Sequence, residues 1–171
     1  MNKRDNVVTM KGNPLTLLGP EITPGQQAPD FKVVDNDLGP VSLSDFKGKV
    51  VIVSAVPSLD TPVCDMETRR FNQEAQSLGD KVKVLTVSMD LPFAQKRWCG
   101  NVGVTNVQTV SDYQTASFGQ AYGVLIDGLR LLARAIFVVD AQGKVAYVQT
   151  VSEVTHEPDY EAVLNAVKKL I

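Results

Sequence analysis

The feature that most constrains this chain is a junction at residues 57–64, where an apolar run gives way to an amphipathic one. Residues 50–56 carry no charge and predict a strand that is buried on both faces. Residues 62–78 predict a helix, because their apolar side chains recur at helical spacing and most charged ones lie off that stripe. The apolar side chains of the stripe are Val63, Phe71, Ala75 and Leu78.

The junction carries signals for a helix start and places a cysteine just inside it. Thr61 is a good N-cap residue, and Pro62 suits the first helical position because its missing N–H would have no partner there. Cys64 then falls in the first turn, where free N–H groups and the helix dipole favour an anion. Since the thiolate is the reactive form of cysteine, Cys64 is a candidate nucleophile. The alternative is that Cys64 is one more small buried residue.

The composition is that of an ordinary globular protein and argues against several functions. With 171 residues, of which 44% are hydrophobic and 21% charged, the chain predicts one domain over residues 1–171. The net charge of −2 and the absence of a basic cluster argue against nucleic acid and anionic membranes as partners. A single histidine, with no grouping of Cys and His, argues against a zinc site.

The N-terminal residues and the cysteine content predict a cytoplasmic location. Residues 1–6 are polar and no apolar signal-peptide core follows them, and no apolar run approaches the ~20 residues needed to span a bilayer. Two cysteines do not make a disulfide-stapled secreted scaffold. In a cytosolic protein two cysteines more often perform redox chemistry, or nothing, than hold the fold together.

Residues 1–18 predict a β-hairpin extension that precedes the core. Two β-rich runs, 7–10 and 15–18, lie on either side of a Gly-Asn turn. Short strands are then expected at 31–34 and 41–43.

The core continues after the first helix, which Gly79 is expected to end, with a second strand at 82–88. This β-α-β order implies a right-handed crossover and parallel strands. A short helix is expected over 92–99, with Asp90 as its cap and Gly100 as its stop. The later elements are expected to be a weak strand at 107–110, helical turns near 115–122, a mixed apolar loop at 124–132, a hairpin formed by 135–140 and 144–148, and a helix that starts near Pro158.

The element order predicts a thioredoxin-like α/β fold, with a central mixed sheet flanked by helices. In this fold the two parallel strands end at the same edge of the sheet, where active sites of open α/β sheets are usually found. The strand that begins near Arg134 runs antiparallel to the first of them, so its first residues return to that edge. The residues expected to converge there are Thr61, Cys64, Cys99 and Arg134.

Arg134 stands alone in an apolar segment, and a charge in such a place needs a partner. One interpretation is a salt bridge to a carboxylate such as Asp60 or Glu67. The other is that its guanidinium stabilises the Cys64 thiolate and the charge that develops on a bound substrate.

The spacing Pro57-x-x-x-Thr61-x-x-Cys64 matches the signature of the peroxiredoxins, with an arginine later on a strand. Further segments resemble one subgroup, the bacterial thiol peroxidases, which are atypical two-cysteine peroxiredoxins. The likeness covers nearly the whole chain. The segments that carry it are 58–61 (SLDT), 90–100 (DLPFAQKRWCG), 120–123 (QAYG), 132–135 (LARA) and 157–161 (EPDYE).

The resemblance implies a role for each of the residues at the junction. Cys64 would be the peroxidatic cysteine, Pro57 would shield the site, and Thr61 would orient peroxide and thiolate through its hydroxyl. Arg134 would stabilise the charge, and Cys99 would be the resolving cysteine. The implied reaction forms a Cys64 sulfenic acid and then an intramolecular disulfide with Cys99, which thioredoxin reduces; it needs no metal, haem or flavin cofactor.

The two cysteines do not form a Cys-x-x-Cys pair, so a thioredoxin-type dithiol is absent. Cys99 lies about 10 Å from the start of its expected helix, whereas a disulfide needs Cα atoms within about 7 Å. A bond between Cys64 and Cys99 is therefore expected to require local unwinding. The alternative for Cys99 is an inert core thiol beside Trp98.

Two other functions stay open at this point: a redox sensor without catalysis, and a thioredoxin-fold interaction module with inert thiols. His156 precedes the last helix and is interpreted as a surface or capping residue.

The last expectation is a homodimer with its contact near the active site. An apolar loop just before Arg134 holds too many large apolar side chains to be left in water, and two-fold pairing would bury at least some of them. The alternative is that they fold under the sheet as core. The thiol peroxidase resemblance implies a dimer of this kind and a preference for alkyl hydroperoxides over hydrogen peroxide. The loop side chains are Val124, Leu125, Ile126, Leu129, Leu131 and Leu132.

Overall fold

The computed structural model describes residues 2–171, which form ten strands, four helices and one 3-10 turn. The strands are β1 (Lys3–Met10), β2 (Asn13–Leu18), β3 (Lys32–Val34), β4 (Pro40–Ser42), β5 (Val50–Ala55), β6 (Val82–Ser88), β7 (Gln108–Ser111), β8 (Leu125–Ile126), β9 (Ala135–Val139) and β10 (Val145–Thr150). The helices are α1 (Pro62–Leu78), α2 (Pro92–Val102), α3 (Ser117–Ala121) and α4 (Tyr160–Lys168), and the 3-10 turn is Leu43–Phe46.

The central sheet is mixed, with seven strands in the order β10-β9-β5-β6-β7-β3-β4. Strand β5 is parallel to β6 and antiparallel to β9, and β6 is parallel to β7. Ala135, the first residue of β9, lies opposite Ala55, the last residue of β5. The residue before β9, Arg134, is thereby delivered to the edge of the sheet at which β5 leads towards α1, as the sequence predicted.

Both faces of the sheet are covered, because β5 alternates its apolar side chains between two cores and all six of its residues are buried. On one face the core includes Phe71 of α1, Trp98 of α2 and Val163 of α4. On the other face it includes Phe118 of α3 and Leu17 of the N-terminal hairpin. The expected thioredoxin-like fold with an N-terminal hairpin extension is confirmed. Within residues 2–171, none of the helices combines the length and the apolarity needed to cross a membrane.

Several element boundaries differ from the expectations. The helix of Cys99 does not stop at Gly100 but runs to Val102, and Gly103 ends it in the left-handed conformation (φ 68°). Asp90 is not its cap, since Leu91 occupies the N-cap position and the Asp90 carboxylate binds elsewhere. The last helix begins at Tyr160 rather than near Pro158.

The expectation for the apolar loop at 124–132 is wrong for most of its side chains. Residues 125–126 form strand β8, which pairs antiparallel with β2 and so places the hairpin over them. The alternative interpretation, ordinary core, therefore holds for this part. Leu129 remains exposed, at 49% of its surface, and Leu131 is half-buried. The side chains that lie in the core are Val124, Leu125, Ile126 and Leu132.

Candidate active site

Cys64 lies in the first turn of α1, which follows β5 after the loop at 56–61. Thr61 occupies the N-cap position and Pro62 the first helical position, as predicted. The Thr61 hydroxyl does not cap the helix, however, because it donates to the backbone oxygen of Ser58 at 2.8 Å. Cys64 is completely buried, with 0% of its surface exposed. Solvent therefore reaches its sulfur only when the surrounding residues move, or through an adjoining cavity.

Arg134 contacts Cys64 directly, and its three donor groups are all engaged. Its Nη2 donates to Cys64 Sγ at 3.2 Å, its Nη1 donates to Glu67 Oε2 at 2.6 Å, and its Nε donates to the backbone oxygen of Val154 at 2.9 Å. The salt-bridge interpretation of Arg134 is confirmed, with Glu67 rather than Asp60 as the carboxylate, and the contact with Cys64 that the other interpretation requires is present. A guanidinium fixed on three sides is a preorganised positive charge beside the sulfur.

The ion pair between Arg134 and Glu67 is fully withdrawn from water, with 2% and 0% of the side chains exposed. Ser54 of β5 satisfies the second oxygen of Glu67, since its hydroxyl donates to Oε1 at 2.9 Å. Burial raises the pKa of Glu67, and the contacts with Arg134 and Ser54 oppose that rise. Burial acts to lower the pKa of Arg134, but Cys64 and Glu67 more than offset it, so the pKa is raised. The arginine is therefore held as a cation next to Cys64.

A largely apolar cavity of about 370 Å³ opens in front of Arg134. The junction supplies one wall, through Pro57, Thr61, Pro62 and Val63. The tip of the N-terminal hairpin supplies another. The cavity brings three of the predicted site residues, Pro57, Thr61 and Arg134, together next to Cys64.

Sequence analysis missed the hairpin tip, whose Met10 and Lys11 line this cavity. The tip is fastened by Glu153, whose Oε1 accepts from the Thr9 hydroxyl and from the Gly12 N–H, each at 2.9 Å. Its other oxygen accepts from Thr155, and these hydrogen bonds, led by the Thr155 hydroxyl, lower the pKa of Glu153. The same segment carries the Val154 oxygen that binds Arg134. The segment at 153–155 thus positions both the hairpin tip that lines the cavity and the Arg134 guanidinium.

Cys99 lies on α2, is half-buried and faces a different cavity, of about 390 Å³ and mainly polar. Its Sγ is 3.3 Å from Thr109 Oγ1 on β7, and Asn36 lines the same cavity. Both cysteines are free thiols within intact helices. The predicted convergence therefore holds for Arg134 and the junction, while Cys99 packs against the same apolar core as Cys64 but opens on another side.

Two sets of hydrogen bonds, neither anticipated from the sequence, connect the Cys64 segment with the Cys99 segment. The Trp98 indole N–H donates to Asp65 Oδ1 at 2.8 Å, and these residues are the immediate neighbours of Cys99 and Cys64. The Asp90 carboxylate accepts from the Ser58 hydroxyl at 2.7 Å and from the Leu59 N–H at 2.8 Å. The loop before α1 and the start of α2 are therefore held together in this form. His156 is exposed, as expected.

Comparison with known proteins agrees with this arrangement. A family profile described as Redoxin matches residues 23–164. The thiol peroxidase of Halalkalibacterium halodurans is 58% identical over 94% of this chain and 96% of its own. The thiol peroxidase of Bacillus subtilis is 56% identical over 96% and 98%. The crystal structure of a peroxiredoxin-like protein from Aquifex aeolicus has a TM-score of 0.90 and 48% identity, and covers 96% of each chain.

A second solved structure, a thiol peroxidase from Chromobacterium violaceum, has a TM-score of 0.84 over 95% of each chain, and at 21% identity it supports the fold alone. The fold and the cysteine site together are those of a redoxin-family oxidoreductase. Within that family, the chain belongs to the thiol peroxidases, which are enzymes of the peroxiredoxin type. The two other functions considered above, a sensor without catalysis and an inert interaction module, are thereby set aside.

Proposed function

We propose that Cys64 is the peroxidatic nucleophile of this thiol-dependent peroxidase. The observation that carries the proposal is the 3.2 Å contact from the Arg134 guanidinium to Cys64 Sγ. A fixed cation beside a sulfur at a helix N-terminus favours the thiolate, which is the attacking form. Of the two free thiols, Cys64 is the one that has such a cation within hydrogen-bonding distance.

In the proposed first step the Cys64 thiolate attacks the terminal oxygen of the hydroperoxide. An S–O bond forms as the O–O bond breaks, and the remaining oxygen leaves as alcohol or water after taking a proton. The product is a Cys64 sulfenic acid. Arg134 stabilises the charge on the leaving oxygen, Thr61 at the cavity wall orients the peroxide through its hydroxyl, and Pro57 shields the sulfur from bulk water.

In the proposed second step Cys99 condenses with the sulfenic acid to an intramolecular disulfide and water. Because both sulfurs lie in intact helices that open on different cavities, the step requires α1, α2 or both to unwind locally. Unwinding at this place breaks the hydrogen bond from Trp98 to Asp65. Thioredoxin then reduces the disulfide by thiol exchange, in keeping with a cytoplasmic location.

The preferred substrates in this proposal are alkyl hydroperoxides rather than hydrogen peroxide. The cavity in front of Arg134 is walled by Met10, Pro57, Pro62 and Val63, which offer an alkyl group apolar contact. Burial of an alkyl chain against such walls contributes about 0.8 kcal/mol per methylene. Hydrogen peroxide has no group that gains from these contacts.

We also propose that the protein is a homodimer, with the contact at the start of α2 instead of the loop at 124–132. Leu91 and Phe93 expose 52% and 65% of their surface. The residue before them, Asp90, is bonded to the loop that leads to Cys64, so this apolar pair lies beside the peroxidatic segment. A dimer contact at this apolar pair would place both active sites next to the interface.

Sedimentation of paired variants tests the dimer. Phe93→Asp is expected to dissociate it at micromolar concentration, because a charge would be buried in the contact and the side chain is too exposed to hold the fold. Leu129→Asp, at the exposed leucine of the loop at 124–132, is the matched control and should leave the dimer intact. Dissociation by Leu129→Asp but not by Phe93→Asp would move the contact, and a monomeric wild type would refute the dimer.

Turnover with a reconstituted thioredoxin system tests the catalytic proposal. Wild type should reduce many equivalents of cumene hydroperoxide, with a higher kcat/KM than for hydrogen peroxide. One equivalent should consume both thiols, and a non-reducing gel should show an oxidised monomer band. A band of disulfide-linked dimer, or a thiol that remains free after one equivalent, would rule out the intramolecular bond.

A further inference from the structure

The polar surroundings of Cys99 form a chain of hydrogen bonds that the reaction scheme does not use. The Thr109 hydroxyl, buried on β7, lies 3.3 Å from Cys99 Sγ. The same hydroxyl donates to Asn36 Oδ1 at 3.1 Å. Among residues 2–171, Thr109 is the hydrogen-bonding partner that the structure gives to the Cys99 sulfur.

The direction of this chain follows from counting protons. A hydroxyl has one proton to donate, and an amide oxygen can only accept. Because the Thr109 proton is committed to Asn36, the Thr109 oxygen meets Cys99 with a lone pair. In that arrangement Cys99 is the donor and keeps its S–H proton, whereas a Cys99 thiolate would compete with Asn36 for the Thr109 proton.

The charged groups around Cys99 supply no substitute for Arg134. Asp35, Asp37 and Lys83 line the same cavity. Asp37 is paired with Lys96 of α2 at 2.7 Å, and the Asp35 carboxylate accepts two backbone N–H groups of its own turn. The Lys83 ammonium lies over the Phe46 ring, 5.4 Å from its centroid, and burial, followed by the neighbouring Lys49, lowers its pKa. The Thr109 oxygen therefore contacts the Cys99 sulfur. Within residues 2–171, no cation lies within hydrogen-bonding distance of that sulfur to favour its thiolate.

We propose that Thr109, set by Asn36, is a positioning residue that holds Cys99 as a neutral thiol while α2 is folded. The inference rests on the proposed role of Cys99 as the resolving cysteine. In the resolving step the S–H bond of Cys99 and the S–O bond of the Cys64 sulfenic acid break, the S–S bond forms, and the proton leaves with the hydroxyl as water. Cys99 reaches its reactive state after it leaves Thr109, which ties the step to unwinding of α2.

Alkylation of Cys99 by iodoacetamide in a Cys64→Ser background tests this directly. Asn36→Ala releases the Thr109 proton, which can then turn to the sulfur and stabilise its thiolate. We expect alkylation at pH 7.5 to become about fivefold faster and its pH profile to move to lower pH, as suits one hydrogen bond. Thr109→Ser, which keeps the hydroxyl, should leave the profile unchanged.

Two further variants separate this role from a merely structural one. Thr109→Val removes the oxygen that accepts the Cys99 proton but offers the thiolate no donor, so it should accelerate alkylation at pH 7.5 less than Asn36→Ala does. Asn36→Asp holds the Thr109 proton more firmly and should not accelerate alkylation. If Asn36→Ala has no effect, or if Thr109→Val or Asn36→Asp accelerates alkylation as much as Asn36→Ala does, the proposal is refuted. The assay needs neither peroxide nor thioredoxin, so it stands apart from the resolving role, which fails separately if Cys99→Ser still recycles.

Discussion

The two sulfurs of this protein lie in opposite surroundings. Cys64 is completely buried, next to a cation that is fixed by a carboxylate and a backbone oxygen. Cys99 is half-buried, beside a hydroxyl oxygen and a polar cavity. In the proposals made above, the first arrangement keeps a positive charge in place for attack on a peroxide, and the second keeps a thiol unreactive until its helix moves. The contrast suggests that selectivity between two chemically identical groups comes from what each can hydrogen-bond.

The contrast extends to the elements that carry the sulfurs. The N-terminal half of α1 is held by the Arg134–Glu67 pair, which joins it to the residue before β9 and, through Ser54, to β5. The second half of α2 is held to α1 by the side-chain hydrogen bond of Trp98, and the loop after α2 by backbone N–H groups of Thr105 and Asn106 that donate to Asn72. Breaking a buried ion pair costs far more than breaking one such hydrogen bond. We therefore expect α2 to supply most of the movement that brings the sulfurs together.

The largest expected effect is that of Cys64→Ser, which should reduce peroxidase activity to the uncatalysed background. A serine hydroxyl is not ionised at neutral pH and is a far weaker nucleophile than a thiolate. Steady-state turnover of cumene hydroperoxide measures the loss, and near-UV circular dichroism checks that the fold is kept. Activity above background in this variant would mean that Cys99 reacts with peroxide by itself, which would remove the contrast between the sulfurs.

Cys99→Ser should separate the peroxidatic role proposed for Cys64 from the resolving role proposed for Cys99. Its first turnover should match wild type, because the surroundings of Cys64 are untouched, while multiple turnover with thioredoxin should be lost. The stranded sulfenic acid should be oxidised further to the sulfinic acid, a gain of two oxygens that mass spectrometry detects. Continued recycling with thioredoxin would show that the sulfenic acid is resolved without Cys99.

Two variants of the Arg134–Glu67 pair should both lower the free energy of unfolding but shift the alkylation profile of Cys64 in opposite directions. Arg134→Ala and Glu67→Gln should each lower the free energy of unfolding, by about 3–5 kcal/mol for the former, because each leaves a buried charge without its partner. Arg134→Ala should also lower kcat/KM by about 10²–10³ and move the alkylation profile of Cys64 to higher pH. Glu67→Gln should move it to lower pH, since the negative charge near the sulfur is removed.

Denaturant titration and alkylation by iodoacetamide in a Cys99→Ser background measure these two effects separately. The opposite shifts are the informative part, because a loss of packing alone would move both profiles in one direction. Equal shifts of the same sign would indicate that Arg134 acts on Cys64 through structure rather than through charge.

The parts of this contrast that the sequence predicted are the local ones. The helix start at Thr61, Pro62 and Cys64 depends on residues that are neighbours in the chain, so its position could be read directly. Arg134 stood out because a lone charge in an apolar run needs a partner, and the fold class then placed it beside Cys64.

The sequence did not predict the contacts between side chains that lie far apart in the chain. Such contacts leave no periodic pattern in the sequence. Nothing near Cys99 in the chain points to Thr109 and Asn36, and nothing in the hairpin points to Glu153. The apolar loop at 124–132 was misjudged for the same reason, because the strand that covers it, β2, lies more than a hundred positions earlier. Gly100 is not the helix stop that the sequence predicts, because a glycine inside a helix costs only about 1 kcal/mol and the left-handed residue is Gly103.

The smallest expected effect concerns the hydrogen bond between Trp98 and Asp65, which joins the two helices. Asp65→Ala removes the acceptor, so the opening of α2 should become easier and disulfide formation after one equivalent of peroxide about two- to tenfold faster. Trp98 is the only tryptophan in the sequence and lies next to Cys99, so its fluorescence follows the step in stopped flow. Arg69→Ala is the matched control, because it removes the other partner of Asp65 and leaves the bond to Trp98. If both variants change the rate equally, charge near Cys64 rather than the link between the helices sets the pace.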